Sequence, residues 1–142
     1  MRSAQVIGYT AGVFDLFHIG HVNLLRNARD NCDFLIVAVT SDDLALKRKG
    51  RCIIPERERM SVVQSVRYVD KVILQSDFDK FGAWEKLKFD RIFVGNDWEN
   101  SPEWKEYESK FASVGVSVMY FPYTTGTSST LINEILQEIR GK

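Results

Sequence analysis

Phe34-Leu35-Ile36-Val37-Ala38-Val39-Thr40 contains the longest apolar run of the sequence, six residues closed by a threonine. A strand with one wet face alternates apolar and polar residues, and this one does not. A continuous short run of this kind is expected of a strand buried on both faces, as in a parallel sheet covered by helices. Working outward, residues 4–9, 69–74, 91–94 and 116–121 read as four further strands. Amphipathic stretches lie between them. Residues 20–31 carry Val22, Leu25 and Ala28 on one stripe with Leu24. Residues 55–66 open with Pro-Glu-Arg-Glu, favourable first-turn chemistry, and carry Met60, Val63 and Val66. Ser101-Pro102-Glu103 reads as an N-cap with Pro at the first helical position, and Ser128 or Ser129 caps a last helix. Strand and helix in alternation predict an α/β doubly wound sheet of about five parallel strands with helices on both faces.

The chain has 142 residues, 44% of them apolar, which suits one domain spanning 1–142 and an independent core. Nineteen basic and nineteen acidic residues leave no net charge, which argues against a nucleic-acid partner. The six-residue run is far short of the roughly 20 apolar residues of a membrane span, and no apolar signal core opens the chain. Cys32 and Cys52 have neither ligand nor redox spacing. A cytoplasmic protein with no membrane partner is expected.

In doubly wound sheets, ligands bind beyond the carboxyl ends of the strands, at the switch point. This rule selects three loops, those after the first, second and fifth strands; the first, residues 10–21, lacks the GxGxxG fingerprint of dinucleotide enzymes. It has Gly12 for close backbone approach, and Gly20-His21 at the start of the first helix. The only two histidines, His18 and His21, flank that start. Helix N–H groups and the dipole favour an anion there. Two imidazoles at i and i+3 add donors for charge that grows in a transition state. A lone histidine is usually a satisfied surface or core residue; a pair around a glycine at a strand-to-helix junction points to phosphate chemistry.

The run Gly12-Val13-Phe14-Asp15-Leu16-Phe17-His18-Ile19-Gly20-His21 resembles the HxGH signature of the nucleotidyltransferase superfamily. It is most similar to the cytidylyltransferase branch, which includes the glycerol-3-phosphate, choline-phosphate and ethanolamine-phosphate enzymes. Lys47-Arg48-Lys49-Gly50, then Arg59 with Arg67-Tyr68-Val69-Asp70, resemble the segments that follow the second strand. Val94-Gly95-Asn96-Asp97-Trp98 is similar to the glycine-acidic-tryptophan turn, and residues 124–130 to the C-terminal signature RTEGIST[ST]. Five segments fall in order over nearly the whole chain. Two departures stand out: Tyr123 occupies the place of the signature's arginine, and Val13 that of a threonine.

The resemblance implies a Rossmann-like fold and transfer of CMP from CTP to a small alcohol or sugar phosphate, glycerol-3-phosphate-like, releasing pyrophosphate. His18, His21 and Lys47 are then the catalytic candidates. Gly12, Val13, Phe14, Asp97, Thr124, Gly126, Ser128, Ser129 and Thr130 would bind the nucleotide. Asp15, Lys49, Arg59 and Arg67 would serve the acceptor and its phosphate. Mg²⁺ would arrive with the nucleotide, without a protein metal site, and a homodimer is implied. Trp84, Trp104 and Tyr107 are candidates for that interface or for the core. Residues 47–59 carry six basic and two acidic side chains, read as a loop beside the HxGH segment. Two alternatives stay open: an adenylyltransferase using ATP, and a catalytically silent nucleotide-binding module. A tRNA synthetase fragment is disfavoured by length and neutrality.

Overall fold

The computed structural model describes residues 5–48, 50–122 and 129–141. The elements run β1 (Ile7–Gly12), α1 (Ile19–Arg29), β2 (Phe34–Thr40), α2 (Asp42–Arg48), α3 (Glu56–Gln64) and β3 (Lys71–Gln75). They continue through α4 (Lys80–Leu87), β4 (Arg91–Gly95), a 3₁₀ turn (Asn96–Trp98), α5 (Pro102–Ala112), β5 (Ser117–Phe121) and α6 (Ser129–Arg140). Among the described residues the strands form one parallel sheet in the order β3-β2-β1-β4-β5. This is the Rossmann-like doubly wound arrangement: the chain winds to one edge, returns to the centre, and fills the other half. The switch point lies between β1 and β4.

β2 shows why the apolar run does not alternate. Leu35, Val37 and Val39 enter a core with Leu25 and Ala28 of α1 and Val63 of α3. Ile36 and Ala38 enter a second core with Phe89, Trp104 and Phe111 on the other side of the sheet. Every one of these β2 side chains is buried, at about 1.5–3 kcal/mol for a fully buried Val, Leu or Ile. Trp104 is buried and Trp84 and Tyr107 pack against the second core, so these three aromatics serve packing. Gly8 in β1 stands where side chains crowd: a Cβ there would meet the Phe93 ring at 2.5 Å and the Cys32 sulfur at 2.7 Å.

Several sequence expectations need adjusting. β1 extends to Gly12, so Thr10, Ala11 and Gly12 are strand rather than loop. Two short helices had no periodic signature. In α2 the charges of Lys47 and Arg48 mask a helix whose first turn is acidic and last turn basic, matched to its dipole. The basic segment is therefore not one loop; it contains the end of α2 and the start of α3. In α4 only eight residues carry the pattern, and Gly82 interrupts them; the Asp79 side chain accepts from the Gly82 N–H and caps the turn. Ser101 caps α5 by accepting from the Trp104 N–H at 3.2 Å, with Pro102 first in the helix, as expected.

Candidate active site

At the carboxyl ends of the strands lies a cleft of about 490 Å³. Its floor is Thr10, Ala11 and Gly12 of β1 with Val94 and Gly95 of β4, the two strands that border the switch point. Thr10 sits deep, its hydroxyl donating to the Phe93 carbonyl at 3.0 Å, which ties β1 to β4 beneath the site.

His18 and His21 both line this cleft, and each imidazole is fixed by backbone. His18 is the N-cap of α1: its Nδ1 accepts the Gly20 N–H at 3.0 Å. His21, at the third helical position, reaches back so that its Nδ1 accepts the His18 N–H at 3.1 Å. This is the reciprocal logic of a capping box, executed by two histidines. An Nδ1 that accepts from an N–H carries no proton, so in both rings the proton resides on Nε2. Desolvation also holds the His18 imidazole below the ordinary histidine range, which keeps it neutral. The ring centroids are 4.1 Å apart. Phe14 and Phe17 back the His21 ring at 5.3 and 5.1 Å.

The segment that presents the histidines is held from three sides. Phe14 and Leu16 have left-handed backbone (φ 56° and 50°), a conformation costly for bulky residues and sustained here by surrounding contacts. The Asp15 carboxylate accepts the N–H groups of Ile53 at 2.8 Å and Ile54 at 2.9 Å. The Ser129 hydroxyl donates to the Asp15 carbonyl, fastening the start of α6 to the same loop. Ser129 and Thr130 thereby stand at the cleft.

Gly12, Val13, Asp97, Ser129 and Thr130 line the cleft beside the histidines, as the sequence reading places them. Five nominated residues are not brought there. Phe14 is buried in the core below His21. Asp15 spends its carboxylate on backbone N–H groups. Lys47 points from α2 into solvent, and its neighbour Arg48 faces the cleft instead. Arg59 is 1% exposed, and its guanidinium donates to the carbonyls of Ile54, Val13 and Thr40 and to Asp42 at 2.5 Å. With those donors committed to the chain, Arg59 is a positioning group that ties the HxGH loop to the end of β2. Arg67 lies four residues ahead of β3, at the amino end of the sheet, and donates to the Tyr68 hydroxyl. Lys49, Thr124, Gly126 and Ser128, like Tyr123, lie outside the described residues.

Polar and aromatic cleft residues that the sequence reading did not nominate include Gln75, Phe78, Lys80 and Glu103. The only signal for Phe78 and Lys80 was position, since they follow β3, a strand of the same sheet. Among the described residues no three His, Cys, Asp or Glu side chains gather as a metal site. Nor is any helix long and apolar enough to cross a membrane.

A switch-point cleft with helix-start imidazoles defines a doubly wound α/β protein built to handle phosphate groups. The cytidylyltransferase-like family model matches residues 9–135, and the chain belongs to that family, as its motifs indicated. It is a nucleotidyltransferase. Glycerol-3-phosphate cytidylyltransferase of Staphylococcus aureus is 35% identical over 134 residues, 94% of each chain. FAD synthase of Pyrococcus horikoshii is 34% identical, covering 97% of this chain and 93% of its own. Among solved structures, a lipopolysaccharide core biosynthesis protein from Thermoplasma volcanium superposes with TM-score 0.72 at 27% identity, covering 87% of this chain and all of that one.

Proposed function

We propose that the enzyme transfers CMP from CTP to a small alcohol or sugar phosphate resembling glycerol-3-phosphate, releasing pyrophosphate and forming a CDP-linked product. The observation that carries this reading is the pair of Nε2-protonated imidazoles, locked by backbone at the start of α1 and lining the cleft. An oxygen of the acceptor's phosphate attacks the α-phosphorus in line, and the bond to the bridging oxygen of pyrophosphate breaks. Such a displacement needs positioning and charge neutralisation rather than covalent help. His18 and His21 donate to the α-phosphoryl and bridging oxygens as their charge grows. The backbone N–H groups at the start of α6 and the Thr130 hydroxyl hold the distal phosphates, with Ser129 fastening that helix start to the HxGH loop.

Mg²⁺ belongs to the reading as a nucleotide-borne ion. Among the described residues Asp97 and Glu103 are the carboxylates at the cleft, and they would add contacts to an ion carried by phosphate oxygens and water. When bound it offsets triphosphate charge.

A second reading has its own observation. FAD synthases match this chain as fully as cytidylyltransferases do, and adenylyl transfer from ATP to flavin mononucleotide would use the same imidazoles. Pyrophosphate release, measured with CTP and ATP against glycerol-3-phosphate, phosphorylated sugars and flavin mononucleotide, separates the two. Turnover with CTP and a small phosphomonoester is expected. Turnover confined to ATP with the flavin would replace the first reading by the second.

A further inference from the structure

Thr40 closes β2 and Gln75 closes β3, and the two are paired in register. They lie on the face of the sheet that carries Ile36, Ala38 and Ile73. The Gln75 carbonyl accepts the Ser41 N–H at 2.9 Å. Its side-chain Oε1 accepts from the Thr40 hydroxyl at 2.7 Å, in the buried interior. The residue is therefore fixed at its backbone and at its tip, on strands rather than on a loop. With Oε1 turned to Thr40, Nε2 points the other way. Gln75 is 7% exposed and lines the cleft. Among the described residues Nε2 meets no acceptor, and it is not one of the polar atoms sealed from solvent. Its two N–H bonds open on the cleft.

A carboxamide so far withdrawn from bulk water is costly to leave unpaired. It carries no charge, and the end that reaches the cleft only donates. The matching partner is an uncharged oxygen with a free lone pair. Phosphate oxygens draw charge-assisted donors more strongly, and an ammonium group would set one donor against another. The Phe78 ring, which also lines the cleft, gives an ammonium group no better seat. The Arg48 guanidinium already lies 3.8 Å and the Lys80 ammonium 5.5 Å from its centre. A hydroxyl oxygen of a polyol or sugar meets the requirement.

We propose that Gln75, turned by Thr40, is a specificity residue of this cleft: its Nε2 donates to a hydroxyl oxygen on the acceptor's carbon skeleton. The enzyme then prefers a polyol or sugar phosphate to an acceptor that lacks such a hydroxyl or carries an ammonium in its place. The orientation of the carboxamide stands on the geometry; giving the hydroxyl to the acceptor rests on the reading above. A site built around a donor discriminates strongly, because an analogue without the oxygen leaves the N–H unpaired.

The test reads the Gln75 side-chain amide signals of the ¹⁵N-labelled full chain, assigned by their loss in Gln75→Met. The probes are glycerol-3-phosphate and a hexose 1-phosphate, with propyl phosphate and phosphoethanolamine as controls. At least one of the two probes should shift the signals, and neither control should. Gln75→Met should weaken binding of the responding probe roughly 10-fold and change that of propyl phosphate less than about 2-fold. Thr40→Val frees the carboxamide and should lose the same preference, while Thr40→Ser should keep it. Signals that stay unshifted, or that answer the controls equally, would overturn the proposal. So would a Gln75→Met chain that binds probes and controls as the native one does. These readouts need no turnover. A substrate screen that favours ATP with flavin mononucleotide would therefore end the functional reading, while the probes still decide Gln75. With a productive pair, Gln75→Met should raise the acceptor KM and leave the nucleotide KM within about 2-fold. A rise in the nucleotide KM alone would give the carboxamide to the ribose and overturn its assignment to the acceptor.

Discussion

His21 accepts the backbone N–H of His18 through Nδ1 at 3.1 Å. The bond completes the first turn of α1 and also places the ring proton on Nε2. One contact therefore serves both the helix and the chemistry, and the two roles can be separated. His18→Asn keeps a strong N-cap residue and removes the imidazole donor. Its melting temperature should stay near that of the native chain while kcat falls by about 10²-fold or more. His18→Ala should lose the same activity together with about 1 kcal/mol of stability. Full turnover in a folded His18→Asn or His21→Ala chain would remove the imidazoles from the mechanism.

Desolvation of the His18 imidazole makes stability depend on pH. The His18 value is lowered in the folded chain, so the unfolded chain binds its proton first as pH falls. Stability present above the ordinary histidine value of about 6.5 is lost as pH drops through the lower folded value. Urea unfolding between pH 7.5 and 5 should show the native chain losing more stability than His18→Asn over that window. Parallel pH profiles would contradict the lowered His18 value.

Arg59 holds three carbonyls and one carboxylate in a nearly solvent-free position. Arg59→Ala leaves backbone carbonyls without their donor, the Thr40 carbonyl buried among them, and should cost about 1–3 kcal/mol, the scale for leaving a buried acceptor unsatisfied. Arg59→Lys should also destabilise, since one ammonium cannot span the positions that the guanidinium fork reaches. Chemical denaturation reads both. A phosphate-binding Arg59 would instead raise a KM and leave stability alone.

Asp15 fastens residues 53 and 54 to the HxGH loop. Asp15→Asn retains one acceptor oxygen and loses the charge, with an expected cost of about 1–2 kcal/mol. Hydrogen exchange at the Ile53 and Ile54 amides should accelerate, and kcat should fall as the loop loosens. Unchanged protection of both amides would show that the carboxylate does not anchor them.

What the sequence determined by itself was whatever local pattern and burial dictate. An unbroken apolar β2 demanded two covering layers and hence a parallel sheet, and a His-x-Gly-His run after β1 marked the phosphate end of α1. The tertiary structure decided which way each charged side chain faces. Lys47 and Arg48 are adjacent and equally basic, yet successive residues on a helix point about 100° apart, so only one faces the cleft. The phase of α2 is set by long-range ties: Asp42 to Arg59 and to the Glu56 N–H, with Asp15 holding residues 53 and 54 nearby. Lys80 and Phe78 meet Arg48 only because β3 pairs beside β2. No pattern within either segment encodes that pairing.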